Sequence, residues 1–446
     1  MSVIPQQLVP NASQIGVESF SQIKPQRVVI KPNLDTTYRP NGVNRVVFKI
    51  PSFSNSFLDT SKSFLSFNVG YETSSSVTVT DQCRLNNGAP VFQRLTLKTS
   101  NGLVIDQISD YNVLSQLVSA TKQDSVAVSA QEGRDFTSVF ENGSMLPASC
   151  IAQNFSTTGI PIVHYINMGL LSKHTTKWLP LSLMSGGGFA LELELLLSEN
   201  VAVITQTGVV NSPVYRLTNV AYNLEIRTLD EALCKKFNEI ACSGDEIRIG
   251  FKTMHTHSAI LNSSKNIVKI HESATSLDRV WNVFQNTSGM NSLTKASAYD
   301  LIGAVGSTGN RVITRYNARI GSQWLYNDYI SETTAADGNA VTISHVRNAL
   351  DSQDKPLVMQ FIDKVTHKPS ARHYVQCLDF QYSGNSGFVN GISTSTPLEI
   401  YLELPAGYAS NDIVCHSFAE LSYDLVIKGG VVHYEEVRPG SNSVYS

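Results

Sequence analysis

Residues 191–196 read Leu-Glu-Leu-Glu-Leu-Leu, and residues 398–404 read Leu-Glu-Ile-Tyr-Leu-Glu-Leu. In both stretches apolar side chains alternate with acidic or polar ones, which is the period of a strand that lays one face on a core. A second alternating strand follows the first stretch at 216–227, and another follows the second stretch at 418–428, after a similar interval. Alternation alone is generic, but the same order and spacing twice, at a domain-sized separation, predict two related β-domains in tandem.

The rest of the chain shows the same preference for short strands. Many short strands and few helices favour a sandwich or barrel over alternating βαβ units. At this size per unit, the predicted fold is all-β: two tandem eight-stranded antiparallel jelly rolls, a double jelly roll, with a few short helices in loops. Further strands are predicted at 46–50, 64–69, 92–97 and 160–166, and helices at 111–119, 229–240, 276–284 and 345–350, of which 229–240 bridges the two units.

The composition fits a protein whose exterior is covered by copies of itself. Only 16% of the 446 residues are charged, against about 25% in ordinary soluble domains. The formal net charge of −3 excludes the global basic field on which non-specific nucleic-acid binding relies.

The N-terminal region is a local exception. Lys24, Arg27, Lys31 and Arg39 give it an excess of basic charge. One hypothesis is an arm that contacts an acidic partner, such as a membrane or nucleic acid. The alternative is a solvated, loosely ordered terminus.

The six cysteines are scattered and include no Cys-x-x-Cys pair. We therefore predict reduced, mostly buried thiols rather than a disulfide framework. The N-terminal sequence lacks the basic and apolar regions of a signal peptide, and no run approaches the ~20 apolar residues of a membrane-spanning helix. The expectation is a protein made in the cytoplasm, without signal peptide or transmembrane segment.

A histidine pair is the strongest metal candidate. His255 and His257 would place two imidazoles on one strand face, and His271 lies nearby. Because no third ligand is evident, polar residues on an exposed strand face are the better interpretation. The isolated tryptophans are interpreted as core or interface packing: Trp178, Trp281 and Trp324.

Other motifs lack the context that their chemistry needs. His373, Cys377 and Asp379 include the residue types of a cysteine nucleophile and its base, but local alternation explains their spacing equally well. The glycine-rich stretch 303–309 lacks the strand, helix or Gly-Lys-Ser/Thr of a phosphate-binding loop. Paired carboxylates for glycoside hydrolysis are not expected from glutamates on the solvent side of two separate units, namely Glu192, Glu194, Glu399 and Glu403. We predict no catalytic, cofactor-binding or metal site.

Several stretches together resemble the double jelly-roll major capsid proteins, most nearly those of virophages and polinton-like viruses. In that family a strand ending in an Asn-Gly turn leads into a short helix that begins near Tyr-Asn, as Tyr111-Asn112 would here. Ala318-Arg-Ile-Gly-Ser322 is similar to the family's strand ending in Ile-Gly-Ser, although Gln323-Trp-Leu-Tyr326 follows where a proline is more usual. The other similar stretches are 57–67, 92–102, 104–112, 166–171, 179–181, 215–227, 391–394 and 418–428.

The resemblance implies a viral major capsid protein in the virion shell, whose homotrimers form pseudo-hexameric capsomers that tile an icosahedral capsid. It implies no catalytic residue and no cofactor. The implied partners are the chain itself and neighbouring capsomers, penton and minor capsid proteins, and an inner membrane or the genome through the N-terminal arm. The expected division is an arm at 1–44, a first jelly roll with bridging helix at 45–240, a second at 241–436 and a tail at 437–446. The alternative function is a tandem β-sandwich glycan-binding or attachment protein.

Overall fold

The computed structural model of the protein describes both predicted units. The described residues are 24–34, 36–72, 82–85, 91–122, 159–173, 175, 178–184, 188–207, 214–229, 231–242, 246–272, 276–287, 313–332, 340–351, 374–380, 391–394, 396–409, 413–428 and 431–436. The segments 1–23 of the predicted arm and 437–446 of the predicted tail lie outside them, as do His373 and the glycine-rich stretch 303–309.

The N-terminal half forms a sandwich of two antiparallel sheets, here called the first sandwich. Its strands are β1 (Lys24–Ile30), β2 (Arg45–Pro51), β3 (Ser56–Glu72), β4 (Gln82–Leu85), β5 (Phe92–Thr99), β6 (Val104–Ile108), β7 (Ile160–His164), β8 (Leu179–Pro180), β9 (Phe189–Leu197), β10 (Ile204–Thr207) and β11 (Val214–Thr228). One sheet has the order β1-β11-β3-β7, with β8 added to β3, and the other has the order β2-β9-β5-β6. Ring contacts between the sheets, such as Phe48 with Tyr222 and Phe67 with Phe92, show that their apolar faces share one core.

The C-terminal half forms the second sandwich. Its strands are β12 (Ile247–Leu261), β13 (Lys265–Ile270), β14 (Leu277–Asn286), β15 (Arg315–Ile320), β16 (Gln323–Trp324), β17 (Ile330–Ser331), β18 (Val375–Asp379), β19 (Leu398–Glu403), β20 (Ile413–Lys428) and β21 (Val431–Glu436). The sheets have the orders β12-β20-β14-β18 and β13-β19-β15-β16, with β21 added to β20 and β17 to β15.

The two sandwiches have the same topology. When the eight main strands of each are numbered in chain order, one sheet runs 1-8-3-6 and the other runs 2-7-4-5 in both halves. This leaves out β4, β8 and β10 of the first half and β17 and β21 of the second. The predicted duplication and the predicted eight-stranded, two-sheet units are therefore confirmed.

Short helices occupy equivalent places in the two halves. A twelve-residue helix precedes the sixth main strand of each: α1 (Tyr111–Lys122) and, later in the chain, α4 (Ala340–Asp351). Between them lie α2 (Asn200–Val203) and α3 (Glu231–Cys242), and a 3-10 turn spans Leu181–Met184. The predicted bridging helix is α3, whose Phe237 packs on Phe57 with ring centroids 5.3 Å apart. Among the described helices, none has the length and apolar run that crossing a membrane requires.

One helix prediction was wrong. Of the predicted helix 276–284, residues 277–284 lie in strand β14. This strand lies between β20 and β18, and Val280, Trp281, Asn282 and Val283 are all buried. Because both faces of the strand are covered, its sequence does not alternate between apolar and polar residues as a half-exposed strand does.

The start of the first sandwich also differs from the predicted division at residue 45. Lys24–Ile30 pairs with β11 residue by residue, with Ile30 opposite Tyr222. Tyr38 is buried and is bridged to Leu217. The first sandwich therefore takes in the described residues from Lys24 onward, since they supply its first strand.

Candidate assembly surfaces

The two sandwiches meet where strand β12 of the second lies against strand β6 of the first and the turn that follows β6. The hydroxyl of Thr253 on β12 donates to Oδ1 of Asp106 on β6, at 2.6 Å. Further along β12, the Thr256 hydroxyl donates to the carbonyl of Ser109 at 2.8 Å. The Ser258 hydroxyl donates to the Asp110 carboxylate at 3.3 Å. We call this surface the inter-sandwich contact.

A glycine allows this contact to close. The N–H of Gly169 donates to the carbonyl of Lys252 at 3.1 Å, and the N–H of Leu170 donates to Oδ2 of Asp106 at 3.3 Å. Gly169 has φ of +82°, and a Cβ there would overlap Oδ2 of Asp106 and lie 3.2 Å from its Cγ. Burial raises the pKa of Asp106, although the hydrogen bond from Thr253 acts in the opposite direction. Asp106 is thus a buried acceptor that ties the two sandwiches together.

Buried charges lie behind this contact in the second sandwich. Nζ of Lys252 is 2.9 Å from Asp278 and 3.4 Å from Glu420. Arg279 is 3.4 Å from Glu420 and 3.2 Å from Asp379, and its side chain is fully buried. Asp379, considered above as part of a nucleophile arrangement, is therefore an ion-pair partner of a buried arginine. Removing one member of such a group leaves an uncompensated buried charge.

The predicted histidine pair does share a strand face. Nδ1 of His255 and Nε2 of His257 lie 3.1 and 2.9 Å from the same oxygen of Glu272. Burial opposes ionisation of Glu272, but hydrogen bonds from the two imidazoles outweigh it and lower its pKa to about 2. The described residues contain no cluster of three or more His, Cys, Asp or Glu side chains suited to hold a metal ion. The arrangement is a hydrogen-bonded triad that joins β12 to the residues after β13.

Three of the described cysteines are buried thiols. They are Cys234, Cys377 and Cys415. Burial raises the pKa of the Cys415 thiol to about 12. A thiol held in its neutral form is a poor nucleophile, since the thiolate is the reactive species.

The sheet that contains β9 and the sheet that contains β19 each carry a glutamate that is paired with cations on both neighbouring strands. In the first sandwich, Glu194 accepts hydrogen bonds from Arg45 and Lys98, which lie on the strands to either side of it. In the second sandwich, Glu399 pairs with Lys269 at 3.2 Å and Arg319 at 2.5 Å, again from the two flanking strands. These carboxylates belong to separate sandwiches and are neutralised by local cations, so they do not face each other across a cleft.

An aromatic cluster stands on the outer face of the second sandwich. The rings of Trp324 and Tyr401 are 4.8 Å apart between centroids, and the Arg319 guanidinium lies 5.5 and 5.4 Å from them. Trp324 is 41% exposed, whereas Trp178 and Trp281 are buried in the cores. Rigid, half-exposed aromatic and arginine side chains are the types that dominate the energy of protein interfaces.

The four predicted arm residues do not form one cluster. Lys24 and Arg27 lie on β1, and Lys31 follows it directly. The Arg27 side chain is 84% exposed although it lies 3.2 Å from Glu225. Arg39 instead makes two hydrogen bonds of 2.8 Å to Glu72 and lowers the pKa of that carboxyl.

No protein-family model matches the sequence, and no curated protein matches it. The structure, in contrast, is similar to several solved viral capsid structures over nearly its whole length. The Faustovirus major capsid protein is 7% identical, with a TM-score of 0.59 over 94% of this chain and 94% of that chain. A chain of the PBCV-1 virus capsid is 9% identical, with a TM-score of 0.58 over 95% of this chain and 98% of that chain.

A chain of the Sputnik virophage structure is 10% identical, with a TM-score of 0.57 over 96% of this chain and 90% of that chain. The fold is a double jelly roll. A double jelly roll accounts for the repeated strand order. It also places the ion pairs of Glu194 and Glu399 on corresponding sheets of the two units.

The inter-sandwich contact was not predicted from sequence. Gly169 does fall in the stretch 166–171 that resembles capsid proteins, and a glycine within an otherwise apolar stretch is a signal of close backbone approach. The partners Asp106 and Thr253 lie far apart in the chain, and only the fold brings them together.

Proposed function

We propose that the protein is a viral major capsid protein that forms homotrimers. In each trimer six jelly rolls make a pseudo-hexameric capsomer, and capsomers tile an icosahedral shell. The repetition of one strand order in both halves carries the proposal. The likeness to the Faustovirus major capsid protein, which extends over 94% of both chains, supports it.

The shared outer-face charges support a ring of near-equivalent units. Both sandwiches place a glutamate on their seventh main strand between cations of the second and fourth strands. Three copies would therefore present six similar faces around the capsomer. Closed rings of this kind are the usual result of head-to-tail contacts between equivalent units.

Interfaces rather than a reaction centre carry the proposed function. The groups considered for chemistry have structural partners: Glu272 binds two histidines, and Asp379 pairs with Arg279. We accordingly propose no enzymatic activity. The proposed location is the virion capsid.

Light scattering and negative-stain images of the purified chain test the proposal. We expect a particle of three times the chain mass of 48.8 kDa, with a hexagonal outline in projection. A stable monomer without that outline would contradict it.

A glycan-binding or attachment protein is the second candidate. The exposed Trp324 beside Tyr401 favours it, because aromatic rings stack on sugar faces. Saturable binding of an oligosaccharide by a monomer, lost in Trp324→Ala, would favour this candidate over the capsid proposal.

We also propose that the N-terminal region contacts an acidic partner inside the shell, such as an inner membrane or the genome. The exposed Lys24 and Arg27 support this, while Arg39 is already paired with Glu72. Deleting residues 1–40 would remove strand β1, so the informative variants are deletion of 1–23 and Lys24→Glu combined with Arg27→Glu. Unchanged particle assembly and unchanged retention of genome and lipid in both would contradict the proposal.

Penton and minor capsid proteins are the other proposed partners. Capsomers of one kind tile flat facets, so the vertices of a closed shell need a different protein. Purified chain alone should therefore form trimers and sheets rather than closed particles, and electron micrographs of concentrated trimers would show this.

A further inference from the structure

The inter-sandwich contact joins two different edges. The first sandwich contributes its fifth main strand, β6, and the turn after it, while the second contributes its first main strand, β12. Since the sandwiches share one topology, each has both kinds of edge. Among the described residues, the inter-sandwich contact uses one edge of each kind, which leaves the other edge of each kind as a candidate for contact with another chain.

The unused first-strand edge can be located by register. Ile30 lies opposite Tyr222, and Phe251 lies opposite Tyr423 on the corresponding last strand. This alignment places Arg27-Val-Val-Ile-Lys31 over Arg248-Ile-Gly-Phe-Lys252, which share the arginine, an apolar alternation and the lysine. The stretch Val29–Leu34 therefore corresponds to the part of β12 where the inter-sandwich contact begins.

This stretch exposes apolar side chains. Val29 is 61% exposed and Leu34 is 59% exposed. Among the described strands, β1 pairs only with β11, and no described strand pairs with its other side. Just beyond β1, the N–H of Asn33 donates to the carbonyl of Val47 at 2.9 Å. An open edge strand that carries exposed apolar side chains readily recruits another chain, and for this reason proteins normally cover such edges or place charges on them.

The unused fifth-strand edge lies beside β15. In the first sandwich, Asp106 of β6 is opposite Leu97 of β5. Ala318 of β15 corresponds to Leu97, since each is paired with the third residue of the alternating stretch on the seventh main strand. The N–H of Leu325 donates to the carbonyl of Ala318, so Leu325 takes the position of Asp106. The corresponding edge is therefore Trp324–Tyr329. The Trp324 ring packs against Tyr401 and Arg319 and remains 41% exposed, so it is available to a partner.

We propose that the Val29–Leu34 edge of one copy packs against the Trp324–Tyr329 edge of the next copy. This contact repeats between chains the contact that joins the sandwiches within a chain. Three such contacts close a ring of six jelly rolls. The inference rests on the proposed trimer and names the surfaces that hold it together.

A cross-linking experiment tests the direction of the contact. The full chain carries Leu34→Cys together with Trp324→Cys and is treated with a short bismaleimide. Each copy then carries one introduced thiol on each proposed edge, and the reagent links position 34 of one copy to position 324 of the next. In a closed ring of three copies, the final product on a denaturing gel should be a covalent trimer. Each single variant should give no covalent trimer, and this controls for the native thiols.

A second pair of variants tests the apolar packing. The double variant Val29→Asp, Leu34→Asp places two charges where the proposed contact buries two apolar side chains. The protein concentration below which the trimer dissociates should therefore rise, on the order of a hundredfold. Val431→Asp is the matched control, because Val431 is 62% exposed on β21, in a different sheet from both proposed edges. This substitution should leave the trimer intact. Unchanged thermal unfolding of dilute protein would show that the variants are folded.

The outcomes separate this inference from the proposed function. A native trimer that is neither cross-linked by the double-cysteine variant nor weakened by the aspartates would overturn the inference alone. Covalent dimers or an open ladder would overturn the closed ring. A native chain that stays monomeric would overturn the proposed function as well.

Discussion

Replacing Gly169 by alanine should loosen the joint between the two sandwiches. Gly169 has φ of +82°, and its added Cβ would occupy the space of Oδ2 of Asp106. Asp106 would have to move away from Thr253 and from the N–H of Leu170, its partners at 2.6 and 3.3 Å. The variant therefore suffers backbone strain and also the loss of buried hydrogen bonds.

The two costs can be estimated separately. Alanine in the left-handed region costs ~1–2 kcal/mol. Disturbing the buried hydrogen bonds of Asp106 costs roughly 2–4 kcal/mol more. Gly102 provides the matched control, because its φ is +83° and a Cβ there meets nothing within 4 Å. Gly102→Ala should show only the backbone cost.

Thermal unfolding by calorimetry measures the difference. For units of this size the extra cost corresponds to a Tm about 5–10 °C lower in Gly169→Ala than in Gly102→Ala. When both glycine variants are made in a chain that also carries Asp106→Ala, most of the Tm difference between them should disappear, because the added Cβ no longer meets a carboxylate. Equal Tm losses in the two glycine variants would refute the proposed close approach of Gly169 to Asp106.

Three further predictions concern buried groups of the second sandwich. Burial raises the pKa of Glu332 from 4.5 to about 7. Between these two pH values the folded chain keeps the Glu332 proton and the unfolded chain has lost it. The free energy of unfolding should therefore fall as pH rises from 4.5 to 7. Glu332→Gln should flatten that slope in denaturant titrations, and parallel curves would contradict the assignment. Since burial raises the pKa of Cys415 to about 12, iodoacetamide at pH 8 should modify it only after denaturation, as peptide mass spectrometry would show. Arg279→Ala should cost ~3–5 kcal/mol of stability by stranding Glu420, whereas Arg279→Met with Glu420→Met should cost much less.

Alternation in the sequence was a good guide to strands with one covered face. The stretch 191–196 lies within β9, and 398–403 forms β19. Glu192, Glu399 and Glu403 are partly exposed, whereas Glu194 is buried beneath the cations that pair with it. The same signal failed at 276–284, because β14 is covered on both faces and no alternation remains. Strand β1 was also missed, since an exposed edge strand of seven residues has few buried positions to reveal it.

The candidate surfaces were much less accessible to prediction. Trp324 was interpreted only as core or interface packing, and its exposure depends on how β16 folds back along β15. His255 and His257 were placed on one strand face correctly, but their acceptor Glu272 was not foreseen. Such partners lie on different elements, and their meeting depends on strand register and not on spacing along the chain.

The amino-acid sequence by itself determined that this chain builds two tandem β-sandwiches, because side-chain periodicity is a local property of each strand. Tertiary structure alone decided how the sandwiches are joined and which edges remain open. Those features depend on contacts such as Asp106 with Thr253, which join residues 147 positions apart in the chain and which no local pattern encodes.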